Sequence, residues 1–228
     1  MNAVSYFITG TDTEIGKTTI SCALIRALAK KGLRVAPMKP VAAGAFRTGD
    51  QWHNEDVDAL IAASNMELPV SLIAPYLLKT PIAPHLAASL DRQSIELPHI
   101  LSCYNDICRQ ADAVIVEGVG GFCVPFTDST SSADLAVQLN LPVILVVGLK
   151  LGCINHALLT AEAVRARGLK LAGWIANRIE PHMPFADENI RTLETRLNTP
   201  LLGTMPYLES FSEADAYLDL SKLPGCPF

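Results

Sequence analysis

The chain has no CxxC pair and no Cys/His spacing of the kind that holds zinc, although it carries six cysteines, Cys22, Cys103, Cys108, Cys123, Cys153 and Cys226. Most sit among apolar neighbours, so they are expected as buried thiols in a reducing, cytoplasmic setting rather than as a disulfide framework. Clustered basic residues are also missing. The net charge is −5, which argues against a nucleic-acid partner, because a phosphate-tracking surface needs grouped Lys and Arg. The longest apolar run, Leu141 to Leu149, is about half of what a bilayer-spanning helix requires. No basic-then-apolar leader precedes the first strand, and no period of about 20 to 50 residues repeats. The expectation is a soluble protein without membrane association, structural zinc or a repeat array.

What is present is enough apolar material for one core. Of 228 residues half are hydrophobic, and 15 prolines and 14 glycines are spread without low complexity. A single domain over residues 1–228 is expected, with roughly the last 10 residues forming a loose tail. Short β-branched runs alternate with longer amphipathic ones, the pattern of βαβ units and a mostly parallel sheet. Strands are predicted at "SYFITG", from Arg34 to near Met38, and at "DAVIVEG", "PVILVVGL", "KLAGWIAN" and "PLLGTMPYL". Helices are predicted over Lys17 to Lys31, in "NEDVDALIAASN", around Glu96 to Gln110, Ala133 to Asn140, His156 to Arg167 and Phe185 to Leu197. "KPVAAG" reads as loop, and Pro69 to Pro98 yields only a short helix at His85 to Leu90. Runs such as "VIVEG" are apolar on every face, as in strands covered on both sides. The fold class is therefore a three-layer α/β/α arrangement of the phosphate-loop type, with ligands at the carboxyl ends of the strands.

Strand, then "GTDTEIGKT", then helix is the context that a phosphate-binding loop requires. Amides at the helix N-terminus face the anion, Lys17 reaches the phosphates and the Thr18 hydroxyl is a Mg²⁺ ligand. The loop departs from the common GxxxxGK spacing, since Gly10 stands one residue too far from Gly16 and Glu14 lies between them. Magnesium calls for carboxylates as well. Glu117 is delivered to the sheet edge by "AVIVEG"; the alternative is a strand-end Glu in solvent. Asp56 opens a helix, where acidic residues also serve as caps, and Asp58 is its rival. Lys39 follows a strand on the same edge, where a cation neutralises charge on a transferring phosphoryl group; the alternative is a surface lysine. "VVGLKLGCINHA" repeats the strand, loop and helix theme. There the amides of Gly152, Cys153, Ile154 and Asn155 suit a carboxylate, unless Asn155 is simply the N-cap. His156 reads as a helix-start residue rather than a base. Asn177 ends a strand with an amide that pairs with a purine edge, or is a turn residue.

In this order "TGTDTEIGKT", "KPVAAG", "NED", "VEGVGG", "VILVVGLKLGCINHA", "GWIAN" and "LLGTMPYL" resemble the dethiobiotin synthetases, from about Tyr6 to Glu213. The resemblance implies conversion of 7,8-diaminopelargonate, CO2 (or bicarbonate) and ATP to dethiobiotin, ADP and phosphate, with Mg²⁺, by a homodimer. It implies that Thr18, Asp56 and Glu117 surround the metal and favours Asp56 over Asp58. Glu14, Ile15, Gly16, Lys17, Thr18 and Thr19 would hold the nucleotide's phosphates, and the loop Gly118 to Gly121, with Gly118, Val119 and Gly120 toward the nucleotide, would lie between substrate and nucleotide. Asn177, Arg178, Pro206, Tyr207, Leu208 and Glu213 would line its nucleoside pocket. Lys39 would stabilise the carbamate and the transferring phosphoryl group, and Lys17 and Glu14 would join it in the chemistry. Thr13, Glu14, Ala43 and Gly120 would lie near the diamine, and Gly152 to Asn155 would receive the substrate carboxylate from the neighbouring subunit. Ala43 departs from the Ser or Thr common in the family. Two other readings share the fold. A partitioning-type ATPase switch would carry a lysine after the first loop glycine, where this chain has Thr11 and Asp12. A nucleotide-binding relative without synthetase activity is the other. An amide-forming synthetase of cobalamin assembly would need a glutaminase domain, for which there is no room.

Overall fold

The structure is a computed structural model that describes residues 3–208 and 213–226. Six strands form one parallel sheet: β1 (Val4–Gly10), β2 (Val35–Met38), β7 (Ala113–Glu117), β8 (Val143–Leu149), β9 (Leu171–Arg178) and β10 (Leu201–Met205), in the order β10-β9-β8-β1-β7-β2. Successive side chains of a strand face opposite ways, and here both ways are apolar. Tyr6 and Ile8 pack into one core with Ile115, Ile144 and Ile175, whereas Phe7 packs into the other with Val116, Leu145 and Trp174. The first core is roofed by α1 (Lys17–Lys30) and α2 (Glu55–Ala63). The second is covered by α5 (Leu97–Cys108), α6 (Ser132–Leu139), α7 (Cys153–Ala166) and α8 (Ala186–Leu197). This is the expected three-layer arrangement, with every strand of the main sheet parallel.

The segment between β2 and α5 holds more structure than the sequence suggests. "KPVAAG" contains β3 (Val41–Ala43), paired in parallel with β6 (Tyr76–Leu78) in a small second sheet. A hairpin, β4 (Phe46–Thr48) with β5 (Gln51–His53), projects beside it. The prolines around it confine the remaining helices to short pieces, α3 (Val70–Ile73) and α4 (Pro84–Leu90). A three-residue strand flanked by Gly and Pro leaves no period long enough to read, which is why β3 looked like loop.

Three other expectations are corrected. The last strand ends at Met205, before Tyr207. The cysteines divide: Cys22, Cys103 and Cys153 are buried, but Cys123 is exposed. The tail is packed as far as it is described. Its two 3-10 turns, at Ala214–Tyr217 and Leu220–Lys222, bring Ala214, Leu220 and Leu223 into the core beneath α1. The Tyr6 hydroxyl donates to the Pro224 carbonyl at 2.9 Å. A leucine every few residues was too sparse to signal this docking.

Gly203 marks where that segment seats on β10, since a Cβ there would stand 2.1 Å from the Tyr217 carbonyl oxygen. Gly203→Ala must therefore push the backbone of residues 213–226 away and is expected to lose about 1 to 3 kcal/mol, the usual range for overpacking. Urea unfolding gives the loss, and limited proteolysis should show faster cleavage in the tail than elsewhere.

Candidate active site

Everything at the site hangs from the carboxyl ends of β1, β2 and β7. The β2–β7 register pairs Met38 with Val116, so the next residues, Lys39 and Glu117, emerge side by side. Their side chains are almost wholly enclosed, Lys39 at 2% and Glu117 at 0% exposure. Lys39 Nζ donates to Glu117 Oε1 at 2.6 Å and to Asp56 Oδ2 at 2.8 Å. The Thr18 hydroxyl lies 2.8 Å from both Glu117 Oε1 and Asp56 Oδ1. Two carboxylates, an ammonium and a hydroxyl thus meet at one point. Burial alone would lower the Lys39 pKa, but Glu117 and then Asp56 outweigh it and hold it above the ordinary lysine value. Burial likewise opposes Asp56, and Lys39 brings its carboxyl below the usual range.

The choice between Asp56 and Asp58 follows from the cap of α2. Asn54 is the N-cap, its side-chain oxygen accepting from the amides of Asp56 and Val57, while its amide nitrogen donates to the Ala43 carbonyl at 3.0 Å. Asp56 is therefore free of capping duty and turns inward. Asp58 turns away to His53 Nδ1 at 3.1 Å.

The loop from Thr11 to Gly16 runs over this cluster. Gly16 adopts a left-handed conformation (φ 82°) and no side chain caps α1, so the amides of its first turn are left for an external acceptor. Lys17 is buried, with Nζ on the Asp12 carbonyl at 3.0 Å; burial, and then the charge of Lys39, lowers it to about 8. Glu14 is also left-handed (φ 57°). It lines two clefts, as do Gly16 and Thr19.

The larger cleft, about 910 Å³, is bounded by Thr13, Lys17, Thr18, Lys39, Ala43, Asp56, Val119 and Gly120. The smaller, about 220 Å³, is bounded by Asn177, Arg178, Pro206, Tyr207 and Leu208. The phosphate loop forms the wall between them. Not every expected residue reaches a cleft. Gly118 packs under the Phe7 ring with its amide on the Ile8 carbonyl, and the Ile15 side chain is fully buried. Glu213 precedes the first 3-10 turn and lines neither cleft. Gly152 to Asn155 also lie outside both. Helix α7 begins at Cys153 with Gly152 (φ 94°) as N-cap, so Asn155 is a first-turn residue and not the cap.

Sequence reasoning missed part of the wall. Pro81, Ile82, Ala83 and Pro84, from the stretch without readable period, line the large cleft together with Cys123, Val124 and Pro125. It also missed the ion pair of Lys150 with Asp12, at 2.7 Å, which ties the phosphate loop to the loop after β8. Only the placement of Lys150 after a strand of the same sheet hinted at it.

The model of an AAA domain family matches residues 4–215. The ATP-dependent dethiobiotin synthetase BioD of Janthinobacterium sp. (strain Marseille) is 54% identical over 227 residues, covering 97% of this chain and 96% of that protein. The chain belongs to the dethiobiotin synthetase family. Fold likeness reaches further. In the MinC:MinD cell division complex of Aquifex aeolicus a chain superimposes with a TM-score of 0.60 at 14% identity, covering 96% of this chain and 88% of the other. A ParA family ATPase from Chlorobium tepidum TLS gives 0.57 at 14%, covering 97% and 93%. At such identity these two share the architecture of this family member and nothing finer.

A buried ion pair that loses one partner leaves a stranded charge. Lys39→Met should destabilise the ligand-free protein by about 3 to 5 kcal/mol, and adding Glu117→Gln should recover part of that loss because the two sites are coupled. Urea unfolding of the single and double variants measures both.

Proposed function

We propose that the chain is an ATP-dependent dethiobiotin synthetase whose larger cleft receives 7,8-diaminopelargonate and whose smaller cleft receives the nucleoside of ATP. The observation that carries this reading is the meeting of Lys39, Lys17, Thr18, Asp56 and Glu117 under a lengthened phosphate loop, in a chain 54% identical to a protein of that name. In this reading one amine takes up CO2 as a carbamate. The carbamate oxygen attacks the γ-phosphorus of ATP and displaces ADP. The second amine then attacks the carbamoyl carbon, closing the ureido ring and expelling phosphate.

The residues present suit such chemistry, which needs positioning and charge neutralisation more than a strong base. Lys17 and the α1 amides hold the phosphates in line with the carbamate. Lys39 stands between the two reactants and balances the charge that builds on the transferring phosphoryl oxygens. Thr13 and Glu14, exposed on the cleft side of the loop, face the amines, and Glu14 accepts hydrogen bonds from an ammonium. Ile82, Pro84, Val124 and Pro125 offer an apolar wall to the aliphatic chain.

The donor set also fits magnesium. Among the described residues no group of three or more His, Cys, Asp or Glu could hold a metal, but Mg²⁺ is held by one or two carboxylates with phosphate and water oxygens. Thr18, Asp56 and Glu117 supply that number, and Glu117 Oε2 is buried without a partner. A divalent cation held by these residues would supply charge neutralisation for the nucleotide's phosphates. We further propose a cytoplasmic homodimer in which Gly152 to Asn155 of the second subunit hold the substrate carboxylate. The uncapped start of α7, the nearly complete exposure of Leu151 at 97% and the position of these residues outside both clefts support that arrangement.

The deciding assay is phosphate release from ATP in the presence of diaminopelargonate and bicarbonate. Release should require the diamine, and release that ignores it overturns the synthetase reading in favour of a bare ATPase. Two substitutions test the substrate side. Glu14→Gln should weaken use of the diamine about tenfold or more, the worth of one charge-assisted hydrogen bond, while ATP affinity stays within about twofold. Ala43→Ser, whose hydroxyl would point into the cleft, should lower the diamine KM by a similar factor at unchanged kcat; an unchanged KM removes residue 43 from the substrate contacts.

A further inference from the structure

Ile15 is the last residue before the anion-binding turn, and the structure treats it as an anchor. Its side chain is fully buried between two strands. A Cβ on Gly10, at the end of β1, would stand 2.8 Å from Ile15 Cδ1, and one on Gly148, in β8, would stand 2.5 Å from Ile15 Cγ2. Neither glycine has a positive φ, so what these positions need is space, and Ile15 occupies that space. Its carbonyl is held as well. Asn177 Nδ2, on β9, donates to Ile15 O at 2.8 Å in a buried hydrogen bond. The same nitrogen lies against Gly16, where a Cβ would come within 2.2 Å of it.

We propose that Asn177 is a positioning residue for the phosphate loop: it fixes the Ile15 carbonyl, and with it the turn at Gly16, while its other edge faces the small cleft. The inference rests on the nucleotide reading and deepens it. A residue that lines the cleft assigned to the nucleoside also sets the shape of the anion site, so the two halves of the nucleotide are felt by one amide. The lengthened first half of the loop gives such a brace a purpose. With one more residue than the common spacing, the loop is tied at Thr11 and Asp12 by Val146, Lys17 and Lys150, and Ile15, between the left-handed Glu14 and Gly16, is the tie nearest the turn.

The test separates the base from the phosphates. Magnesium tripolyphosphate carries the anion without the purine, so a residue that only reads the base does not affect its binding. Asn177→Ala and Asn177→Leu, the second preserving volume without the donor, should each weaken tripolyphosphate by about tenfold, the cost of leaving one buried carbonyl unpaired, and MgATP by at least as much. In the unaltered protein, saturating adenosine should tighten tripolyphosphate about fivefold, within the usual range of coupling between sites. Tripolyphosphate affinity within twofold of the unaltered protein in folded variants, with only MgATP weakened, overturns the proposal. So does the absence of coupling with adenosine, which needs no variant. Failure of the unaltered protein to bind MgATP at all would instead strike the nucleotide reading itself.

Discussion

The Lys39–Glu117 pair is the constraint from which the site follows. Glu117 ends a strand in the interior of the sheet and has no access to water. A carboxylate there is tolerated only beside a cation and a donor, because an isolated buried charge costs many kcal/mol. Lys39 supplies the cation through the register of β2 on β7, and Thr18 supplies the donor from the first turn of α1. The chain after Lys39 leaves the main sheet and returns through β3 and the hairpin before α2 begins. Asn54, bonded to both α2 and β3, turns Asp56 back onto the same ammonium. Four elements far apart in sequence are thus held to one point by charge rather than by apolar packing.

Topology explains why that point is open to ligands. From β1 the chain crosses to β2 on one side of the sheet, with β7 later filling the gap, and then crosses back past β1 to β8, β9 and β10 on the other. Such a reversal of direction leaves a crevice at the carboxyl ends of the strands beside it. The phosphate loop occupies this crevice with α1 behind it. The β7 loop with Val119 and Gly120, and the insert with Pro81 to Pro84, form the walls of the larger cleft. Helix α7 starts on the far side of the reversal, and the Lys150–Asp12 pair ties the loop before it to the phosphate loop. Both members of that pair are substantially solvent-exposed, so it contributes little stability and acts chiefly to orient the two loops.

Legibility in the sequence followed the length of the period. The six main strands and their long helices were readable because 4 to 14 residues of consistent pattern accumulate in each. The phosphate loop was readable because Gly16, Lys17 and Thr18 are contiguous. Asp56 was ambiguous because a first-turn carboxylate has two uses, and only the cap geometry of Asn54 separates them. The small sheet of β3 and β6, the docked tail and the wall at Pro81 to Pro84 were not readable at all. Each rests on contacts between short segments distant in sequence, and no local rule encodes which partner a three-residue strand will find. The double duty of Asn177 belongs to the same class, since a strand-end Asn carries no mark of the carbonyl it will meet.

The charge of the site bears on what enters it. The protein is acidic overall at −5, so no broad positive field draws an anion in. At the centre, Lys17 and Lys39 are balanced by Asp56 and Glu117, and burial has already weakened the hold of Lys17 on its proton. A free nucleotide triphosphate would therefore bring its negative charge into a neutral, partly desolvated cluster whose carboxylates repel it. In the proposed reading, a cation brought with the nucleotide would be held by those carboxylates and would offset this repulsion, and the Lys39 ammonium would serve the phosphoryl oxygens. The ion pairs with Asp56 and Glu117 already hold Lys39 in place on the wall of the larger cleft. On that reading Lys39, Asp56 and Glu117, whose charges hold these elements of the fold together, are also the side chains that would serve the reaction.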